Sequence, residues 1–360
     1  MAKLFAGRYE ATGETFKGGG GKVYICVDKH LERKVAVKFL RPGVGKSRML
    51  DEIRALQQVR SKNVVQIFDV VSHLGKPAIV EEYVGGDALD VAPCPAVSDD
   101  WLRLIVQLAG GLTDIHKAGI IHRDIKPNNL MYTTENVLKI IDFNLAREVG
   151  VNASTHGFKG TRGFAAPELY VSGIVQFTSG IDVYAIGATI LAIATGGYLP
   201  GHLSVQPPNS GAFLTGGGCQ PFLSVLPSSM IDLLNNTLQP SPEHRPSAFE
   251  IWDEANRLLT FNKHKARVFF NDQLVQTLDA GNTAVKLTHP NSSIPASITV
   301  LYDGRRFVVS AVSGEVSINN LAINVGDALP GSCVITLGSP ERGNARLFAR
   351  IDQSHPEYVL

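Results

Sequence analysis

The chain has 360 residues, more than the roughly 250 to 300 at which a single hydrophobic core stops growing, so two domains are expected. With 44% hydrophobic and 19% charged residues it can bury real cores, which excludes a disordered chain. Its formal net charge of +1 excludes a large electrostatic footprint for nucleic acid or anionic membrane, and Cys26, Cys94, Cys219 and Cys333 lie too far apart for a zinc ligand pair or a disulfide framework, which fits a reducing, cytoplasmic setting.

Residues 1–16 carry no long apolar core after Lys3, so no secretory signal is expected. Short β-branched runs at 22–28, 34–40, 64–70 and 77–84 alternate with turn residues and read as strands. Between the second and third, at 46–60, Leu50, Ile53, Leu56 and Val59 recur at helical spacing, so one helix interrupts a small sheet. A second helix is expected over 101–119, capped by Asp99 or Asp100, striped by Leu104, Leu108, Leu112 and Ile115, and stopped at Gly119.

The segment "GIIHRDIKPNNLMY" (119–132) then places His122, Arg123, Asp124, Lys126 and Asn129 within eight positions. Spacings of two and three fit neither a helix face nor a strand face, so a loop with several side chains aimed at one centre is expected. A short strand follows at 137–143, then a polar, glycine-bearing stretch to about 163, and helices near 179–195, 228–238 and 247–260. The apolar run at 183–195 falls short of the roughly 18 residues needed to cross a bilayer and reads as a buried helix, so no membrane span is expected. Residues 195–222, dense in Gly and Pro, read as a long loop. Beyond Asn262 seven strand-like runs recur at intervals of about ten residues, the pattern of a β-sandwich or barrel. The domain boundary falls near 261–266, where the basic cluster "NKHKAR" reads as a solvated linker rather than a nucleic-acid patch.

In this setting "HRDIKPNN" resembles the catalytic loop of eukaryotic-type (Hanks-type) Ser/Thr protein kinases, and the resemblance runs in order over about residues 10 to 260. It implies an α+β, bilobal protein-kinase-like fold over 10–261, with a small lobe at 10–84 and a large lobe at 85–261, followed by an all-β sandwich at 266–360. By match to the family's motifs, Asp124 would accept the substrate hydroxyl proton and Lys126 would neutralise charge on the γ-phosphate. Asn129, and Asp142 opening "DFN", would hold magnesium; Asn144 stands where the family has glycine, and Asn tolerates left-handed backbone angles. Lys38 in "VAVKFL" matches the lysine that contacts the α- and β-phosphates, and Glu52 matches its ion-pair partner. In isolation Lys38 reads equally as a surface lysine of an edge strand, facing opposite to Val35 and Val37.

"FKGGGGKVY" (16–24) resembles the glycine-rich loop, with Gly18, Gly19 and Gly21 letting backbone amides approach the phosphates and Phe16 in the place of the first glycine. Four consecutive glycines also fit a floppy hairpin turn. Val23 and Ala36 are the implied nucleotide contacts of the flanking strands. "IVEEYVGG" (79–86) resembles the hinge between lobes, where the backbone of Glu82 and Val84 would bond adenine. Glu81 occupies the gatekeeper place, commonly apolar; a buried carboxylate there must find a partner, rotate outward or reflect an altered pocket. "GTRGFAAPE" (160–168) resembles the substrate-docking end of the activation segment: Thr161 would bond Asp124 and Lys126, and Glu168 would pair with Arg245 in "EHRPS". Asp182 in "GIDVYAIG" would brace the catalytic-loop backbone.

Lys126 followed by Pro127 is the Ser/Thr pattern, so the resemblance implies ATP and Mg2+ as cofactors, a Ser or Thr hydroxyl of a protein substrate as acceptor, and autophosphorylation. Arg123 beside the base implies a site for an activating phosphate, with Ser154 and Thr155 as candidates. Residues 312–338 are similar to the closing half of a forkhead-associated (FHA) domain, a phosphothreonine-binding sandwich, while 286–300 shows neither its arginine nor its Ser-Arg-x-His arrangement. A phosphoprotein or docking partner for this FHA-like sandwich is the corresponding expectation. A pseudokinase scaffold that binds through the sandwich, and a small-molecule phosphotransferase, are the competing readings. Intact Lys38, Asp124, Asn129 and Asp142 argue against the first, and the "APE" segment with its arginine against the second.

Overall fold

Alternation along the first strands gives a sheet two unlike faces. The computed structural model of the chain describes residues 3–354 except 19–20, 41–52, 54–56, 58, 90–93, 144–146, 149–153, 157–160 and 172–173. It divides into two units, Met1–Ala255 and Asn256–Leu360. In the first, β1 (Leu4–Phe5), β2 (Tyr9–Gly18), β3 (Gly21–Asp28), β4 (Arg33–Leu40), β5 (Ile67–His73) and β6 (Lys76–Glu82) form an antiparallel sheet in the order β1-β2-β3-β4-β6-β5. Cys26, Val35, Val37, Ala78 and Val80 cover one face together with Phe5 and Tyr9, and Lys38, next in line after Val37, turns to the other.

Two expectations change here, and a third falls mostly on residues that are not described. The strand Tyr9–Gly18 has no expected counterpart, because Thr12, Gly13, Glu14 and Thr15 are all exposed and show no apolar alternation. The strand expected at 64–70 begins at Ile67, since Val64 and Val65 run along Ile140 instead. The helix expected at 46–60 lies largely outside the described residues; Ile53, which is described, packs on Ile79.

The large lobe opens with α1 (Ser98–Lys117), whose cap position is Val97. Asp99 and Asp100 are therefore not caps. They sit in the first helical turn, where carboxylates complement the positive end of the helix dipole. The helix stops as expected at Gly119, whose φ of +73° suits glycine. Then come β7 (Ile120–Ile121), β8 (Leu130–Tyr132), β9 (Leu138–Ile140), β10 (Arg147–Glu148), β11 (Ser154–His156) and β12 (Ile174–Gln176), pairing β7 with β10, β8 with β9 and β11 with β12. The lobe is completed by α2 (Gly180–Ala194), α3 (Gly201–Ser204), α4 (Ser210–Thr215), α5 (Ser228–Thr237) and α6 (Ala248–Thr260). α2 is buried from Ile181 to Ile193, as its apolar sequence requires, and Gly187 lets the Thr237 hydroxyl of α5 approach where a Cβ would not fit. The long loop expected at 195–222 contains α3 and α4; Asn209 caps α4 by accepting the Ala212 amide at 3.0 Å, a start signal hidden among the prolines and glycines.

Past the end of α6 at Thr260, the second unit is built of β-strands. β13 (Ala266–Phe270), β14 (Gln273–Leu278), β15 (Ala284–Thr288), β16 (Ala296–Tyr302), β17 (Phe307–Gly314), β18 (Val316–Ile318), β19 (Cys333–Leu337) and β20 (Leu347–Gln353) form two antiparallel sheets, β14-β13-β20-β19-β18 and β15-β16-β17. Alternate residues, among them Val268, Ile298, Val300, Phe307, Val309, Ile335 and Ile351, make a common core. β14 is a further strand absent from the expectations. Asn271 and Asp272, both at positive φ, reverse the chain between β13 and β14 in the two-residue turn those residue types favour. The architecture is thus the expected α+β fold followed by a β-sandwich, and no described helix is long and apolar enough to cross a membrane.

Candidate active site

The loop after β7 is held from below by one carboxylate. At the start of α2, Asp182 accepts the Arg123 amide on Oδ1 at 2.7 Å and the His122 amide on Oδ2 at 2.8 Å, and Oδ2 also meets His116 Nε2 at 2.9 Å. These bonds fix Arg123 at φ +69°, a left-handed conformation that residues other than glycine adopt uncommonly. Asp182 is fully buried. Burial pushes its carboxyl up, but the His116 hydrogen bond and charge and the Arg123 amide together hold it below the ordinary carboxylate value.

His122 is fixed as well. Its Nδ1 accepts the Asp124 amide at 3.3 Å and its Nε2 faces the Ile141 carbonyl at 3.3 Å, a pattern that requires the neutral tautomer with the proton on Nε2. Burial draws its pKa down against the pull of Asp182, Asp124 and Asp142. Its ring meets the Phe143 edge with centroids 4.6 Å apart, so the loop and the segment carrying Asp142 are packed together.

Above this brace the expected side chains meet. Thr161 Oγ1 donates to Asp124 Oδ1 at 2.6 Å, Lys126 Nζ donates to Asp124 Oδ2 at 2.8 Å and to Thr161 Oγ1 at 2.7 Å, and Asn129 Nδ2 donates to Asp124 Oδ2 at 2.9 Å and to its carbonyl at 2.8 Å. The Ile141 amide donates to the Asn129 carbonyl at 2.9 Å, which brings Asp142 next to this ring. From the small lobe Lys38 reaches Asp142 Oδ1 at 2.9 Å. Lys38 is 4% exposed on a strand flanked by β3 and β6, so the reading as a surface lysine on an edge strand does not hold. Burial pushes the Asp142 carboxyl up, but the charge and hydrogen bond of Lys38, with the charge of Lys126, hold it low.

The donor set fits a hard divalent cation. The Asn129 amide group gives its hydrogens to Asp124, which leaves its side-chain oxygen as the acceptor end, and Asp142 adds a carboxylate; magnesium takes oxygen ligands of these kinds. Val23 lies opposite Lys38 in the β3–β4 register, and Ala36 lies two residues before it, so the three share one face of the sheet. Glu81 is paired in register with Ala36 and is 8% exposed, which excludes outward rotation. Glu82 ends β6, and Val84 follows it, buried. Gly18 pairs with Gly21 where β2 turns into β3, Gly21 at φ +147°, with Phe16 exposed beside them. Gly19, Glu52 and Asn144 lie outside the described residues. Ser154 and Thr155 are on β11, paired through the backbone with Gln176 and Val175.

The expected Glu168–Arg245 pair is bidentate, Nη1 to Oε1 at 2.7 Å and Nη2 to Oε2 at 2.8 Å, and Arg245 also donates to the carbonyls of Gln239, Gly180 and Pro240. Two partners escaped the sequence reading. His116 reaches Asp182 across 66 positions, and the Arg123 guanidinium lies 4.1 Å from the Phe177 ring centroid. Neither leaves a local pattern in the chain.

Comparison with known proteins agrees with this arrangement. The family pattern of the protein kinase domain matches residues 9–255. The chain is 32% identical over 200 residues to mitogen-activated protein kinase 14 of Xenopus laevis, covering 52% of this chain and 55% of that protein. It is 33% identical over 214 residues to the probable serine/threonine-protein kinase PknB of Bifidobacterium longum, covering 54% and 31%. It is also 33% identical over 204 residues to the serine/threonine-protein kinase PknK of Mycobacterium bovis, covering 54% and 18%. The chain therefore spans less than two thirds of the length of these curated relatives.

Proposed function

The chain belongs to the protein kinase domain family, and from that premise we propose that it transfers the ATP γ-phosphate to Ser or Thr hydroxyls of protein substrates, itself included. The observation that carries this reading is the hydrogen-bonded ring of Asp124, Thr161, Lys126 and Asn129 beside the Lys38–Asp142 pair. Asp124 accepts the proton of the incoming hydroxyl, and Thr161 and Lys126 fix its carboxylate for that contact. Lys126 carries positive charge beside the moving phosphoryl group, and Lys38, with Glu52 as its partner, grips the nucleotide phosphates. Asp142 and Asn129 hold magnesium, which when bound neutralises charge on the phosphate oxygens. Gly18, Gly19 and Gly21 bring backbone amides to the phosphates, Val23 and Ala36 line the base, and the main chain of Glu82 and Val84 pairs with adenine.

We assign this activity to residues 10–261, and to 266–360 an FHA-like sandwich that docks a protein partner. Support for the second assignment is the pair of antiparallel sheets over one core together with the resemblance of residues 312–338. We assign it a cytoplasmic setting, which the wide spacing of the four cysteines supports.

Incubation of the full chain with ATP and magnesium, wild type beside Asp124→Ala, followed by mass spectrometry, tests the activity. Phosphate on Ser or Thr in the wild type alone is the expected result. Nucleotide binding without any transfer supports the scaffold reading instead.

A further inference from the structure

All three positions of β9 are buried, and the middle one is a lysine. Lys139 is 6% exposed, and its ammonium reaches both carboxylate oxygens of Glu82, Oε1 at 2.8 Å and Oε2 at 2.9 Å. The same carboxylate accepts the Gln66 amide at 3.2 Å, and the Glu82 amide donates to the Gln66 carbonyl at 2.8 Å. Residues 63–66 are themselves bound to β9: Ile140 donates to the Asn63 carbonyl at 2.8 Å, Val65 donates to the Ile140 carbonyl at 3.0 Å, and Asn63 Nδ2 donates to the Leu138 carbonyl at 2.8 Å. Asp142 follows two residues after Ile140. A continuous set of bonds thus joins the end of β6 to the strand that leads to Asp142.

An ion pair is a poor way to stabilise a buried strand, since the desolvation of two charges offsets most of their attraction and a well-packed apolar pair serves as well. The use best attested for such a pair is to fix register. Glu82 is where register matters, because its side chain is held by Lys139 while, on the nucleotide-site reading above, its main chain pairs with adenine. We propose that Lys139 is a positioning residue for the nucleotide. By clamping the Glu82 side chain to β9, it holds the main chain of Glu82 to Val84 at a set distance from Asp142, so that the adenine and phosphate ends of ATP are aligned against one strand. The inference rests on the nucleotide-site reading above and adds Lys139 to it.

Steady-state kinetics with varied ATP test it on the full chain, for Lys139→Met, Lys139→Arg and the double variant Lys139→Met/Glu82→Leu, with the unfolding temperature of each. Lys139→Met is expected to raise KM for ATP about tenfold, the effect of one misaimed hydrogen bond, with kcat within about twofold of wild type. Lys139→Arg, which keeps the charge and can still reach the carboxylate, brings KM back to within about threefold. The double variant regains unfolding temperature because neither charge is left unpaired, yet keeps the raised KM. A double variant with wild-type KM, or a Lys139→Met whose kcat falls at unchanged KM, overturns the proposal and leaves the nucleotide site standing. A wild-type chain with no affinity for magnesium-ATP overturns both.

Discussion

Replacing Asp182 with Asn keeps the volume of the side chain and removes one acceptor. In the native site Oδ1 takes the Arg123 amide at 2.7 Å and Oδ2 the His122 amide at 2.8 Å, both fully buried. An asparagine turned to keep the Arg123 bond sets its own NH2 against the His122 amide, donor facing donor. Loss of a charge-assisted bond costs about 1.5–3 kcal/mol and stranding the buried amide about 1–3 kcal/mol, together roughly 2.5–6 kcal/mol. Both tryptophans, Trp101 and Trp252, belong to the first unit, so their fluorescence follows its unfolding without a contribution from the sandwich. In urea, Asp182→Asn is expected to lower the midpoint at unchanged slope by the equivalent of that energy. Phosphoryl transfer is expected to fall about a hundredfold, because the His122 and Arg123 peptides set the place of Asp124 and a shift of about 1 Å carries that cost. A loss of stability below about 1 kcal/mol with transfer intact refutes the brace.

Other perturbations follow from the same contacts. His122 is held neutral by burial, so below its ordinary value of 6.5 the unfolded chain takes up a proton that the native chain does not; stability is full above 6.5, falls as pH drops from there toward the lower folded value, and falls less steeply in His122→Gln. Urea midpoints at a series of pH values check this, and an unchanged slope counts against it. Arg245→Ala leaves Glu168 without its partner and three carbonyls without their donor, at a cost of roughly 3–5 kcal/mol measured in the same assay; under about 1 kcal/mol is the contrary result. Phosphate on Ser154 or Thr155 is expected to draw Arg123 from the Phe177 ring, so Ser154→Ala/Thr155→Ala lowers transfer, and unchanged activity of the double variant removes that regulatory role.

What could be read in the chain beforehand depended on how local its cause was. The grouping of Asp124, Lys126 and Asn129 was legible because their spacing is incompatible with regular structure, and the buried α2 because thirteen apolar-rich positions in a row have no other place to go. β2 and the α3–α4 stretch were not. A strand segment exposed on both faces has no alternation, and a cap such as Asn209 looks like any other loop residue until the amide it accepts is known. The ties that set the site, His116 to Asp182 and Lys139 to Glu82, join residues 66 and 57 positions apart, and only folding brings them together. Lys139 lay in the strand expected at 137–143, but nothing in the chain showed its burial or its partner.

The most direct measurement is a calorimetric titration of the full chain with ATP, in the presence and absence of magnesium, beside Asp142→Ala. Saturable binding of one nucleotide that magnesium strengthens and Asp142→Ala abolishes or cuts at least about tenfold is the expected result. No binding by the wild type with magnesium present, or binding indifferent to both magnesium and Asp142, contradicts the single pocket built from Lys38, Asp142 and Asp124.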